Sequence, residues 1–101
     1  MDIGKLMKQA KEMQTTLKKV DEELNNQEYA GNHSDIVSCI IKGDNEVVSI
    51  DIKEEMLDKE NKEVLQDMIC LAINDAVAKA RKDRENKMGT LTGGVSMPGI
   101  R

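Results

Sequence analysis

The sequence predicts an α+β fold: a long N-terminal helix, a three-stranded antiparallel sheet and a long C-terminal helix, in the order α-β-β-β-α. Three observations predict it. Apolar residues recur with a heptad period over the first quarter of the chain. Short segments rich in β-branched residues, separated by turn residues, follow it. The third quarter returns to a helical period with apolar residues over well more than half of the helix circumference.

In the first segment Ile3, Leu6, Ala10, Met13, Leu17, Val20 and Leu24 alternate steps of three and four. That is a heptad seam, with Ile3, Ala10, Leu17 and Leu24 at a and Leu6, Met13 and Val20 at d. With no proline and no glycine after Gly4, the spacing predicts a helix over residues 2–25. At ~100° per residue, Lys5, Lys8, Lys11, Lys18 and Lys19 fall on the arc opposite the seam. The lysines therefore point away from whatever the seam packs on.

The period then changes. Residues 27–31 form a short mixed run, and residues 35–41 read DIVSCII; both are predicted strands. Lys42-Gly43-Asp44-Asn45-Glu46 has turn chemistry, and after it Val48, Ile50 and Ile52 alternate with Ser49 and Asp51. Strands two and three are thus expected as a hairpin. A sheet with one apolar face needs a cover, which the second helix supplies from near residues 58–62, after a short turn at 53–57. Val64, Leu65, Met68, Ile69, Leu71, Ala72, Ile73, Ala76, Val77 and Ala80 leave it apolar on more than one side, so burial on more than one side is expected. Residues 81–87 are polar all round and are expected to project into water. Residues 89–101 hold four of the seven glycines and the only proline, Pro98, and read as a flexible tail.

A length of 101 residues gives one domain, 1–101, with one core. That core must be built without Trp or Phe and with a single Tyr, so association of chains is a reasonable way to bury more surface. The longest apolar run, residues 68–73, falls far short of the ~20 residues that span a bilayer, so no membrane partner is expected. The start of the chain carries Asp2, Lys5 and Lys8 and does not read as a secretory signal, which gives a cytoplasmic expectation. Cys39 and Cys70 sit singly in apolar segments without metal-ligand spacing, and both read as reduced core residues.

Net charge is −4, but it is segregated. Residues 1–20 carry five lysines against Asp2 and Glu12, residues 21–78 carry four lysines against fifteen acids, and residues 79–101 carry six basic residues against Asp83 and Glu85. The ends are basic and the middle is acidic. Catalysis finds little support. The single histidine, His33, is expected in a polar loop beside Asn32 and Ser34, and the acids do not cluster as ligands. Gly89-Thr90-Leu91-Thr92-Gly93-Gly94 lacks the Lys-Ser/Thr ending of a phosphate loop, and no strand precedes it. No enzyme, cofactor, metal site or small-molecule substrate is expected.

The bland reading of lysines opposite a seam is a solvated face. Two features outweigh it: Glu12 is the only acid after Asp2 in residues 1–20, and the second basic cluster lies on an arm that no core requires. A polyanion accounts for both. At this point four stretches resemble the YbaB/EbfC family of nucleoid-associated proteins: LMKQAKEMQ at 6–14, VSIDIKEEML at 48–57, LQDMICLAINDA at 65–76 and KMGTLTGGVSMPGI at 87–100. The Asn74-Asp75-Ala76 helix followed by the tail from Lys87-Met88 to Pro98-Gly99 is the distinctive pair. Asn32-His33-Ser34-Asp35 departs from the glycine-rich loop of many relatives.

The resemblance implies a tweezers-like homodimer whose projecting helix ends contact double-stranded DNA, with weak sequence preference, and a place in nucleoid organisation and gene regulation. Carried onto this chain, the DNA contacts are Lys5, Lys8, Lys11, Lys18 and Lys19 on the first helix and Lys79, Arg81, Lys82, Arg84 and Lys87 on the second. Asn74, Asp75 and Ala76 read as fold and dimer residues. The location implied is the nucleoid within the cytoplasm. The alternative is a protein-interaction scaffold or holdase-like helical dimer whose charges only maintain solubility.

Overall fold

The computed structural model describes residues 2–91. The order is α1 (Ile3–Asn26), β1 (Glu28–His33), β2 (Val37–Lys42), β3 (Val47–Ile52), two 3₁₀ turns at Glu54–Met56 and Lys59–Asn61, and α2 (Lys62–Leu91). Helix α1 starts where the Asp2 carboxylate accepts the Lys5 backbone N–H at 3.3 Å, which satisfies one of the free donors of the first turn. The heptad spacing and this cap account for both the extent and the start of α1. Helix α2 runs on through Gly89 to Leu91, three residues into the expected tail; residues 92–101, the remainder of that tail, lie outside the described residues.

The three strands form one antiparallel sheet in the order β1-β2-β3. The β1–β2 connection is tight. His33 closes β1 opposite Val37, so it sits in a strand rather than in the loop expected for it. Ser34 and Asp35 adopt φ of 55° and 57°, the left-handed region that glycine enters freely and other residues rarely. The Asn32 side chain holds this turn by donating to Asp35 Oδ1 at 2.8 Å and accepting the Asp35 N–H at 3.1 Å. A polar side-chain clasp therefore does here what glycine does in a loop of unrestricted backbone. The β2–β3 turn closes through Asn45 N–H to Lys42 O at 2.8 Å, with Asn45 at φ 71°.

The core lies between the sheet and α2. Val37, Cys39 and Ile41 on alternate positions of β2 are buried against Ala72, Ala76 and Ala80 of α2. The alanines let the helix approach closely, and Gly31 completes the fit: a Cβ there would lie 2.0 Å from the Ala72 carbonyl oxygen and 2.8 Å from the Ala76 Cβ. No side chain fits at that crossing. Ala76 is thus a packing residue, Asp75 accepts the Asn32 backbone N–H at 3.1 Å, and Asn74 is exposed.

Coverage stops halfway across the sheet. Ile50 stands opposite Cys39 in the ladder and so shares its face, yet Ile50 is 43% exposed. Leu71 on α2 is 49% exposed, and Val47, Leu57 and Val64 are exposed as well. Within one chain α2 is therefore buried on one side only. Cys70, expected in the core, is exposed, whereas Cys39 is buried.

The chain is extended, at 71 × 21 × 16 Å with a radius of gyration of 19.2 Å. A compact domain of this length would have a radius of about 13 Å. The length comes from the helices, because α1 leaves the body after its last turn and a half. Leu24 is buried, and its carbonyl oxygen would lie 1.8 Å from a Cβ on Gly43. Toward the N-terminus, however, the seam is bare: Met13 is 45%, Leu6 47% and Ile3 70% exposed.

Candidate nucleic-acid interface

The lysines of α1 stand as their spacing predicts. Lys5, Lys8, Lys11, Lys18 and Lys19 are all exposed, and none forms an ion pair among the described residues. They occupy an arc of about 140° centred opposite the seam, and from Lys5 to Lys19 they extend about 21 Å along the axis. That is the length of about six phosphate steps on one strand of a duplex. Thr15 and Thr16 lie in the same stretch, with their hydroxyls donating back to the Lys11 and Glu12 carbonyls at 3.0 Å. In such bonds the hydroxyl shares a carbonyl of the helix ladder, so it is satisfied within the helix itself.

The second basic cluster is arranged differently. Lys79 Nζ lies 3.2 Å from Asp75 Oδ2 and donates to the Ala30 carbonyl at 3.0 Å. Lys87 Nζ lies 3.1 Å from Asp83 Oδ2. Arg84 donates from Nη1 to Asp21 and from Nη2 to Asn25 Oδ1, the latter at 2.6 Å. Arg81 and Lys82 are exposed and make no ion pair among the described residues. Three of the five cations are thus occupied within the chain. The stretch expected to project polar all round is held on one side against β1 and α1.

A small polar network anchors that side. The Tyr29 hydroxyl donates to Asp83 Oδ2 at 2.6 Å. Burial, and then the hydrogen bond to the Asp83 carboxylate, push the Tyr29 hydroxyl up to about 12. The same bond, helped by Lys87, holds Asp83 below the usual carboxylate range. Asp75 is lowered as well, first by the Asn32 backbone N–H and then by Lys79. These groups tie β1 to α2, and the sequence reading did not single out Tyr29, Asp21 or Asn25. The Asp75/Lys79 and Asp83/Lys87 pairs have i,i+4 spacing and were readable; Arg84 and Asp21 are 63 residues apart and carried no local signal.

Arg81 and Lys82 lie on the side of α2 away from Ala72, Ala76 and Ala80. On α1 the lysines lie on the arc opposite Leu24, which with Val20 meets α2 near Asn86, Thr90 and Leu91, and Lys18 stands one turn from Asp21. Among the described residues no group of His, Cys, Asp and Glu could hold a metal ion, and no helix is long and apolar enough to cross a membrane.

Comparison with known proteins agrees with this architecture. The chain is 42% identical over 102 residues to a nucleoid-associated protein of Pelotomaculum thermopropionicum, covering 98% of this chain and 95% of that one. It is 40% identical over 101 residues to a nucleoid-associated protein of Clostridium novyi, covering 99% and 89%. The crystal structure of an uncharacterized protein from Helicobacter pylori shares the fold, with a TM-score of 0.75 at 23% identity over 92% of this chain and 99% of that one. The sequence model of the YbaB/EbfC DNA-binding family matches residues 1–95. With the helix-sheet-helix order, the Gly31–Ala76 crossing and the lysine-bearing α1 all lying within that match, the chain belongs to the YbaB/EbfC DNA-binding family.

Proposed function

We propose that the protein is a nucleoid-associated, double-stranded DNA-binding protein that acts as a homodimer and holds phosphates chiefly through the exposed lysines of α1. The observation that carries this reading is the α1 face itself. Five cations over about 21 Å, without an acidic partner among the described residues, repel one another unless a polyanion neutralises them. Arg81 and Lys82 extend the contact on α2. Lys79 and Lys87 contribute less, because phosphate must compete with Asp75 and Asp83 for them.

Homodimerisation is supported by the uncovered half of the sheet. Val47 and Ile50 of β3, and Leu57, Val64 and Leu71 after it, are exposed apolar residues, and among the described residues the outer edge of β3 has no neighbouring strand. An exposed apolar edge of this kind favours pairing with another chain. A second copy supplies the same surface and doubles the lysine faces. The acidic middle of the chain disfavours DNA elsewhere, and the role that follows is nucleoid organisation, with effects on transcription.

Lysine is a point charge on a flexible stem and seldom fixes a base as a bidentate arginine does. Binding is therefore electrostatic and only weakly sequence-dependent. The test is a salt series of affinity on two unrelated duplexes. With about five to eight phosphates neutralised per dimer, log affinity falls against log salt with a slope of roughly −4 to −7. A slope near zero, or a protein that elutes unchanged from a sizing column in the presence of duplex DNA at low salt, refutes the reading in favour of a protein scaffold.

A further inference from the structure

We infer that Arg84 is a positioning residue, a latch that fixes the direction in which α1 carries its lysines, rather than one of the phosphate contacts. The inference rests on the DNA-binding reading above for its consequence, but not for its geometry. Four ion pairs form among the described residues, and only Arg84 to Asp21 joins the two helices. The guanidinium spans two acceptors one helical turn apart, Asp21 and Asn25, and each of its two terminal nitrogens is used. A planar fork can bridge such a pair; a lysine ammonium cannot reach both in one geometry.

The place of this contact on α1 gives it leverage. Leu24 is the only fully buried residue of the helix, and Asp21 and Asn25 flank it. Beyond them the seam is exposed at Met13, Leu6 and Ile3. From Asp21 to Lys5 is about 24 Å of helix, so a swing of about 20° at the latch displaces Lys5 by about 8 Å. That exceeds twice the ~3.4 Å rise between successive phosphates of one strand. Apolar packing at Leu24 is non-directional and sets distance, whereas the forked hydrogen bonds set angle.

Two variants separate a latch from a phosphate contact, because the two roles predict opposite results. Asp21→Asn gives each chain one more unit of positive charge: if Arg84 contacts phosphate, freeing it from Asp21 strengthens DNA binding. Arg84→Lys keeps the charge: a phosphate contact survives it. If Arg84 is a latch, both variants weaken binding, by about three- to tenfold for a competent pose populated a third to a tenth of the time. Residual dipolar couplings of the amide groups in residues 5–19, measured relative to those of α2 without DNA, give an independent readout. We expect them to shrink in both variants while those of α2 and the sheet stay unchanged. Unchanged couplings in residues 5–19, or tighter DNA binding by Asp21→Asn, overturns the proposal. Should the unaltered protein bind no duplex at all, the proposed function fails while the couplings still decide the latch.

Discussion

Helices α1 and α2 both carry apolar residues at helical spacing, and the two meet opposite fates. Both contain enough apolar residues for a buried stripe. In α2 the stripe finds the sheet, and Ala72, Ala76 and Ala80 disappear against β1 and β2. In α1 the stripe is fully buried only at Leu24 and half-buried at Leu17 and Val20, and from Met13 to the N-terminus it stays open. The difference is that α2 carries small residues where Gly31 allows the backbones to meet. An apolar seam thus specifies a helix and its orientation, but a seam alone does not specify a partner within the same chain.

The contrast is broken most severely on the α2 side. Gly31→Val forces a side chain into the Ala72 carbonyl, where even a Cβ would lie at 2.0 Å. Neither backbone can yield without unpacking the core. We expect a loss of about 3 kcal/mol or more in urea unfolding, a large share of the stability of so small a domain. A loss under about 1 kcal/mol would show that the helix-sheet crossing is not the centre of the fold.

The complementary change on α1 affects function and spares the fold. Lys8→Glu with Lys11→Glu alters two exposed positions that form no ion pair among the described residues. Stability stays within about 0.5 kcal/mol, while affinity for duplex DNA at low salt falls about tenfold or more and the salt slope becomes shallower. Equal binding by this variant would remove the α1 face from the interface.

These two outcomes also measure what could be read from residues alone. The α1 helix was legible because its seven apolar residues repeat without a break, and the β2–β3 hairpin because Gly43-Asp44-Asn45 can hardly be anything but a turn. The exposure of Cys70 was not legible: α2 is apolar on both sides of it, and only the sheet's half coverage shows which side is open in one chain. The basic arm was half legible. Counting charges found Lys79, Arg84 and Lys87, but their occupation by Asp75, Asp21 and Asp83 depends on tertiary placement in the case of Arg84. Charge segregation reports where cations are, not whether they are free.

The smallest effect, and the most specific, concerns the seam between β1 and α2. The Tyr29 hydroxyl donates to Asp83 at 2.6 Å and titrates at about 12 instead of 10.0. Because its folded value is raised, its contribution is fully present below pH 10 and is lost as pH rises toward 12, where the folded protein must release the proton that the bond uses. Asp83 has the opposite sign. Its folded value is lowered, so its contribution is present at neutral pH and lost as the carboxylate is protonated in acid. Tyr29→Phe deletes the shared bond and should cost about 1 kcal/mol at neutral pH, the usual worth of a single hydrogen bond to a partly exposed carboxylate. In denaturant melts at a series of pH values, the unaltered protein should lose stability between pH 10 and 12 more steeply than Tyr29→Phe does. Parallel curves for the two proteins would mean that the bond contributes nothing to holding α2 on the sheet, and that the alanine-lined crossing at Gly31 does so by itself.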